Sequence, residues 1–169
     1  TEFGVHLSKD DGKNWQGMQL NLPLVPITDL ALKEGNLVAA TQGRGYWILD
    51  HVEILRQADE AVFRQAQHLF TPAPTWRLNN GADKEPGNMG SNPPDGVALY
   101  YWLAEKPAPG SDISLEITDR DGGVIRTFTP KPEEEKDKED PLPGDDDRQL
   151  ETRAGLNLFV WDLRYASVE

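Results

Sequence analysis

Residues 8 to 15 read Ser-Lys-Asp-Asp-Gly-Lys-Asn-Trp and match the pattern S-x-D-x-G-x-x-W. Ser8 and Asp10 can turn their side-chain oxygens back onto amide groups of a tight turn that otherwise lack acceptors. Gly12 allows a positive φ, which other residues adopt only at a cost in free energy. Trp15 opens the next strand and can fold its ring over the loop. The stretch therefore predicts a β-hairpin with its turn at residues 8–14.

The strand before this hairpin has a second copy later in the chain, in which Gly45 takes the place of Gly4, 41 positions on. That offset is within the range of about 40–50 residues that one four-stranded propeller blade occupies. Between the copies we predict strands at residues 15–20, 27–32 and 36–41. The second copy has no D-x-G-x-x-W after it, as expected of a final blade that takes its outermost strand from the far N-terminus.

Residues 8–15 resemble the Asp box, the hairpin signature of BNR-type β-propellers such as sialidases, VPS10/sortilin-like receptors and several glycosidases. In that family the box, here Ser8, Asp10, Gly12 and Trp15, is structural and lies away from the active site. Residues 39–50 resemble the close of the propeller in large secreted bacterial BNR glycosyl-hydrolase or VPS10-like proteins. The resemblance covers residues 1–57 and implies the last strands of an Asp-box propeller.

The same resemblance points to a ligand-binding face. In BNR propellers this face is formed by loops that join the second and third strands and by those that join successive blades; here these are residues 42–45 and 22–26. The candidates are therefore Gln42, Arg44 and Tyr46, which would offer an amide, a guanidinium and an aromatic surface to a carbohydrate or peptide. The alternative is that Arg44 pairs with a neighbouring blade and Trp47 packs between sheets.

A helical connector and linker are predicted at residues 58–95. Asp50 can cap a short helix over residues 52–57, and a second helical stretch runs from Asp59 to about residue 68. The apolar contacts expected there are Ala58, Val62, Phe63 and Leu69. Residues 69–78 are predicted to be extended, and residues 79–95, rich in Asn, Gly and Pro, to form a linker.

Four short strands are predicted in the remainder, at residues 97–103, 113–118, 124–128 and 156–163. Such strands with Gly and Pro turns favour an immunoglobulin-like sandwich, with Trp102 and Trp161 in its core. Residues 92–96, 119–128 and 155–165 resemble the FlgD-like Ig module that follows the propeller in the same proteins. There two more strands normally follow, so residues 96–169 are expected to form a partial sandwich.

Residues 130–148 hold nine acidic and four basic side chains, with no aromatic residue. This composition predicts a solvated, mobile acidic loop. No D-x-D-x-D-G spacing with a downstream Glu occurs there, and Asp119-x-Asp121-Gly122 is interpreted as a hairpin turn. We therefore predict no metal site and no cofactor.

The composition excludes several function classes. A formal net charge of −12 disfavours nucleic acid and anionic membranes as partners, and the chain has no cysteine. No apolar run approaches the roughly 20 residues that span a bilayer. His6, His51 and His68 match neither a nucleophile-elbow pattern nor a zinc site, so no catalytic residue is assigned. The chain opens on Thr1 and is interpreted as a piece of a longer protein.

Together these patterns predict an all-β chain that contains the end of a propeller, a helical connector and a partial Ig-like sandwich. The leading hypothesis is a non-catalytic structural and interaction segment of a secreted or periplasmic glycosyl-hydrolase-like protein. One alternative is part of a working glycoside hydrolase whose cleft is completed by other blades. A further alternative is a sortilin-like peptide-binding propeller.

Overall fold

A computed structural model describes residues 1–76, 96–108, 110–130 and 148–165. This part of the chain is predominantly β, as predicted, with two short helices, α1 (Glu53–Gln57) and α2 (Glu60–Phe63). Its strands, in chain order β1 to β10, are His6–Leu7, Gln16–Gly17, Ile27–Lys33, Asn36–Thr41, Tyr46–Leu49, Gln67–Leu69, Val97–Leu103, Leu115–Thr118, Val124–Phe128 and Gly155–Trp161. The chain divides into two compact units, Thr1–Arg56 and Gln57–Glu169.

The first unit holds an antiparallel pair, β1 with β2, and an antiparallel meander in the order β3-β4-β5. Glu34 and Gly35, with φ of 50° and 78°, form the two-residue turn between β3 and β4, because such turns need positive φ at both positions. A Cβ at Gly35 would also lie 2.2 Å from the carboxylate of Glu53. The predicted strands at residues 27–32 and 36–41 are confirmed.

The strand predicted at residues 15–20 is correct only for Gln16 and Gly17. Beyond them the chain turns: the Leu22 amide donates to the Gln19 carbonyl, and the Gln19 side-chain amide donates to the carbonyls of Leu22 and Pro23. Leu20 has a φ of 44° within this turn. Local side-chain hydrogen bonds therefore end the strand early.

The first unit buries little apolar surface. Val5 and Ala39 are its buried apolar residues among those that the structure describes. In β3 every residue after Ile27 is exposed, including Leu30 at 49% and Leu32 at 63%. The meander thus carries apolar side chains that the described part of this unit leaves uncovered.

The second unit has a better developed core between two antiparallel sheets. One sheet has the order β10-β7-β6 and the other pairs β8 with β9. Alternate residues of β7 point into the core, where Phe128 of β9 and Phe159 of β10 meet with ring centroids 4.5 Å apart. The buried cluster consists of Leu99, Tyr101, Leu103, Phe128, Leu150 and Phe159. The two sheets therefore share one apolar layer, the arrangement expected of stacked β-layers.

Asn157 is a polar residue inside this unit, with 1% of its surface exposed. Its amide nitrogen donates to the carbonyls of Arg153 and Gly155, and its oxygen accepts the Arg153 amide hydrogen. A buried amide is tolerated when its donors and acceptor are used. These hydrogen bonds hold the backbone of Arg153 and Gly155 in place at the start of β10.

The predicted second helix is too long. It starts as expected, since Asp59 is its N-cap and accepts the Val62 amide hydrogen at 2.8 Å, but it ends at Phe63. Residues 67–69 instead form β6 and pair with β7. The backbone hydrogen bonds offered by the edge of β7 outweigh a weak helix preference. Ala58 and Val62 are buried as predicted, whereas Phe63 and Leu69 are exposed.

Two further predictions about the second unit are corrected. The strand predicted at residues 156–163 ends at Trp161, because Asp162 accepts the Arg164 amide hydrogen in a tight turn and Leu163 has a φ of 61°. Trp161 packs against the core as predicted. Trp102 does not: it lies on the opposite face of β7, edge-on to Phe63 at 4.9 Å. The linker at 79–95 and residues 131–147 of the acidic loop lie outside the described residues.

The buried side chain of Tyr101 allows the contribution of one core residue to stability to be tested by mutation. Its hydroxyl donates to the Glu151 carbonyl, and burial raises the pKa of Tyr101 to about 12. Because an unfolded Tyr ionises near pH 10, the stability that depends on this group is present below about pH 10 and is lost as the pH rises toward 12. We expect Tyr101→Phe to lower the free energy of unfolding by about 1 kcal/mol at neutral pH. The difference from wild type should narrow at about pH 11.

Urea unfolding at both pH values measures this difference. Tyr46→Phe is the matched control, since Tyr46 is 79% exposed and should show no pH-dependent difference. If the free energy of unfolding of Tyr101→Phe differed from that of wild type by the same amount at both pH values, the assigned role of the Tyr101 hydroxyl would be contradicted.

Candidate functional site

The hairpin at residues 8–15 is held by its own side chains. Ser8 Oγ accepts the Gly12 amide hydrogen at 2.8 Å and donates to Asp10 Oδ1 at 2.9 Å. Asp10 Oδ1 also accepts the Asn14 amide hydrogen at 2.8 Å, while Asp10 Oδ2 accepts from the Asn14 side chain at 2.5 Å. The predicted use of the Ser8 and Asp10 oxygens is therefore confirmed.

Gly12 and Trp15 complete the turn. Gly12 has a φ of 85°, and its carbonyl accepts the Trp15 indole N–H at 3.0 Å. The indole ring lies over Gly12, where an added Cβ would be 3.7 Å from the ring. This matches the predicted position of the Trp15 ring over the loop.

The hairpin has little capacity for catalysis. Hydrogen bonds from the Asn14 backbone amide, the Asn14 side chain and Ser8, in that order of size, hold the pKa of Asp10 below its usual range. A carboxylate with a lowered pKa and both oxygens engaged is a poor general base or nucleophile near neutral pH. The geometry indicates that these residues stabilise a turn.

The loop at residues 42–45 joins β4 to β5 and contains two of the predicted ligand-face residues. Gly43 and Gly45 have φ of 81° and 71°, so the loop is a tight turn on either side of Arg44. The Arg44 carbonyl accepts the Trp47 indole N–H at 3.1 Å. The Gln42 amide donates to the Pro26 carbonyl at 3.0 Å, which places this loop next to the 22–26 connection.

The three candidate ligand-face side chains lie on an open surface. Gln42, Arg44 and Tyr46 are all exposed, and Trp47 is partly buried. Within the described part of the chain, no carboxylate forms an ion pair with Arg44. A cavity of about 50 Å³ nearby is lined by other residues of this unit, among them Trp47. Arg44 of the loop and Tyr46 at the start of β5 thus present a cation and a phenol on an exposed surface.

A cavity lies in the second unit, and sequence reasoning missed it. It measures about 360 Å³ and lies between β6 and the segment that leads into β8. Its walls are mostly apolar, formed by Leu69, Leu103, Ile113, Leu115 and Leu150, with Gln65, Gln67 and Ser114 as polar neighbours. Among the described residues its lining includes no carboxylate, and its titratable side chains are those of His68 and Tyr101. Because residues 67 and 68 were predicted as helix, one wall of this cavity was not visible from the sequence.

The three histidines lie on separate segments of the chain. His6 lies in β1, His51 follows β5, and His68 in β6 packs edge-on to Phe70 at 4.9 Å. Residues 1–76, 96–108, 110–130 and 148–165 contain no group of three or more His, Asp or Glu residues that could hold a metal ion. Over the same ranges no helix has the length and apolarity needed to cross a membrane.

We expect Asp10→Ala to destabilise the hairpin, because the Asn14 amide and side chain and the Ser8 hydroxyl lose an acceptor. The Asn14 amide should exchange with solvent faster, and the first unit should melt at a lower temperature. Since the pKa of Asp10 is lowered, its contribution is present above the unfolded value near pH 3.9 and is lost as the pH falls through the folded value.

Hydrogen exchange and thermal melts at neutral and acidic pH measure this effect. Asp11→Asn is the matched control, because Asp11 is the neighbouring exposed carboxylate and its φ of 55° is one that Asn tolerates. Equal effects of the two substitutions would contradict the assigned role of Asp10.

Comparison with protein-family models, with curated proteins and with solved structures found no match to this chain.

Proposed function

We propose that this chain is the closing part of an Asp-box β-propeller followed by an Ig-like module, with a structural and interaction role in a secreted or periplasmic glycosyl-hydrolase-like protein. The observation that carries the proposal is the turn at residues 8–15. Ser8, Asp10, Gly12 and Trp15 each take part in its hydrogen bonds, as the S-x-D-x-G-x-x-W pattern requires of a self-contained hairpin.

The meander that follows this hairpin fits the proposal. Blades of a propeller are small antiparallel sheets that pack face to face, so their apolar residues need neighbouring sheets. Leu30 and Leu32 of β3 and Ile48 of β5 are exposed in this chain. Side chains of this kind are expected on a sheet that other sheets cover.

The layered arrangement of the second unit is consistent with an Ig-like module. It consists of two antiparallel sheets with alternating inward residues and one shared apolar core. Such modules commonly serve as spacers or interaction domains, since their function depends on surface loops and not on the fold itself.

A non-catalytic role is favoured by the chemistry of the described residues. Glycoside hydrolysis needs two carboxyl groups on either side of a sugar. The carboxylate of Asp10 is engaged in its turn, and Arg44 has no carboxylate partner among the described residues. None of the described residues that line the 360 Å³ cavity carries a carboxylate.

The two alternatives use the loop at residues 42–45. An exposed Arg44 beside Tyr46 could supply a guanidinium to a sugar carboxylate, as part of a hydrolase cleft that further blades complete. The same pair could bind the carboxylate of a peptide, as in a sortilin-like propeller. Both alternatives require Arg44 to contact the ligand.

The experiment assays the purified chain against a panel of aryl glycosides and oligosaccharides, and measures its binding to glycan and peptide arrays. We expect only background hydrolysis. Turnover above background that Arg44→Ala abolishes would overturn the non-catalytic role. Binding lost in Arg44→Ala and kept in Arg56→Ala, the control with an exposed cation at the end of α1, would favour one of the two alternatives according to the ligand.

A further inference from the structure

Strand β6 is an edge strand of the second unit, because the sheet order β10-β7-β6 leaves one of its sides without a neighbouring strand. Its hydrogen bonds to β7 are fixed at both ends. The Ala104 amide donates to the Ala66 carbonyl, and the Phe70 amide donates to the Tyr100 carbonyl. In an antiparallel pair, residues that exchange such bonds alternate with residues whose backbone groups point away from the partner strand.

Gln67 and Leu69 are the residues of β6 whose backbone groups point away from β7. They lie between the hydrogen-bonded positions of Ala66, His68 and Phe70. Within the described part of the chain, the amide and carbonyl groups of Gln67 and Leu69 have no hydrogen-bond partner. Groups of this kind on a sheet edge can pair with another strand.

The next outward-facing position after Leu69 is already paired. The Gln57 side-chain amide donates to the Thr71 carbonyl at 3.0 Å, and its oxygen accepts the Thr71 amide hydrogen at 2.9 Å. These are the two hydrogen bonds that a residue of a neighbouring antiparallel strand would make. The free part of the edge is therefore limited to Gln67 and Leu69.

The 360 Å³ cavity lies beside this free part of the edge. Gln67 and Leu69 share a face of the sheet with Leu103 and Tyr101, which lie opposite them in β7, and all four residues line the cavity. Leu69 is 53% exposed although it lies on the core-facing side, so the apolar layer does not cover the sheet at β6. None of the described lining residues is an Asp, Glu, Lys or Arg, so the cavity suits uncharged apolar side chains.

We propose that β6 binds an extended segment of another polypeptide as an added antiparallel strand. The segment carries two large apolar residues separated by one residue, Φ-x-Φ, in which Φ is the large apolar residue. The two Φ residues lie opposite Gln67 and Leu69, exchange backbone hydrogen bonds with them and direct their side chains into the cavity. The residue between them faces the other side of the sheet. This inference concerns the second unit and does not depend on the proposed function.

The backbone groups and the cavity together select this occupant. An extended chain meets both, because its backbone pairs with Gln67 and Leu69 while its side chains fill the apolar space. A small apolar molecule would fill the cavity and leave those backbone groups unpaired. Within this chain, Trp76 follows β6 closely but is 86% exposed and does not line the cavity, and residues 131–147 contain a single large apolar residue, Leu142. We therefore assign the segment to another polypeptide.

The first experiment adds uncharged synthetic peptides to the whole chain and follows amide hydrogen exchange by NMR. The test peptide is acetyl-Ser-Thr-Phe-Thr-Leu-Thr-Ser-amide. The matched control, acetyl-Ser-Thr-Thr-Phe-Leu-Thr-Ser-amide, has the same composition with its apolar residues adjacent. The test peptide should slow exchange of the Gln67 and Leu69 amides by about ten-fold or more. The His68 amide, which is already paired with β7, should change little, and the control peptide should protect none of them.

The second experiment separates strand pairing from apolar binding by N-methylation of the test peptide. A methyl group on the nitrogen of its Phe or its Leu removes an N–H that would donate to β6. Each change should weaken binding by about ten-fold in a calorimetric titration. A methyl group on the nitrogen of the Thr between them is the matched control. That N–H points away from β6, so binding should be kept.

Two variants of the protein test the groove itself. Leu69→Pro removes the outward N–H of Leu69, and proline is tolerated on an edge strand where the N–H faces solvent. Ser114→Trp places a large ring at the cavity wall. Each should weaken binding of the test peptide by about ten-fold. Thr118→Trp is the matched control and should bind as wild type does, since Thr118 is an exposed residue of β8 outside the cavity lining. Circular dichroism checks that each variant is folded.

Unchanged exchange of the Gln67 and Leu69 amides at about 1 mM test peptide would overturn the proposal. Equal binding of the two peptides, or binding that survives N-methylation of both the Phe and the Leu, would show apolar binding without strand pairing and would overturn it as well. None of these results depends on glycoside hydrolysis or on ligand binding to the 42–45 loop.

Discussion

The need of each β-sheet to cover an apolar face governs both units of this chain. A sheet of two or three strands gains stability mainly by packing against a second layer. The second unit meets this need internally, because β8 and β9 lie over the inward residues of β7 and β10 around Phe128 and Phe159. The first unit meets it only in part: Ala39 is buried, while Leu30 and Leu32 remain exposed. This contrast explains why the core is concentrated in the second unit and the uncovered leucines in the first.

The sequence predicted best those elements whose cause is local. The 8–15 turn follows from side chains that bond amides within four residues, and the β3–β4 hairpin follows from a Glu-Gly turn between alternating strands. Prediction from the sequence failed where pairing with a strand that is distant in sequence determines the secondary structure. Residues 67 and 68 were predicted as helix but pair with β7, more than 30 positions away in sequence. Trp102 lies on the outer face because β7 places Tyr101 and Leu103 inward.

The same distinction between local and distant causes applies to the candidate sites. The roles of Ser8 and Asp10 in the turn were predictable, because the spacing of an oxygen acceptor and a turn amide is set by the chain itself. The 360 Å³ cavity was not, since its walls come from β6, β7, Leu150 and the segment before β8. For Gln42, Arg44 and Tyr46 the structure shows where each residue lies and that its side chain is exposed. A ligand would bind through these exposed side chains.

The meander of β3, β4 and β5 has an exposed apolar face and an exposed edge, and the two are stabilised in different ways. Its faces carry apolar side chains such as Leu32 and Ile48, which stacking against another sheet would cover. Its edge at β3 is engaged in part within the unit, since the Thr1 carbonyl accepts the Ile27 amide hydrogen and Asp29 Oδ1 accepts the Leu30 amide hydrogen. Covering the apolar face therefore requires a second sheet, whereas the edge is partly satisfied by groups close in the same unit.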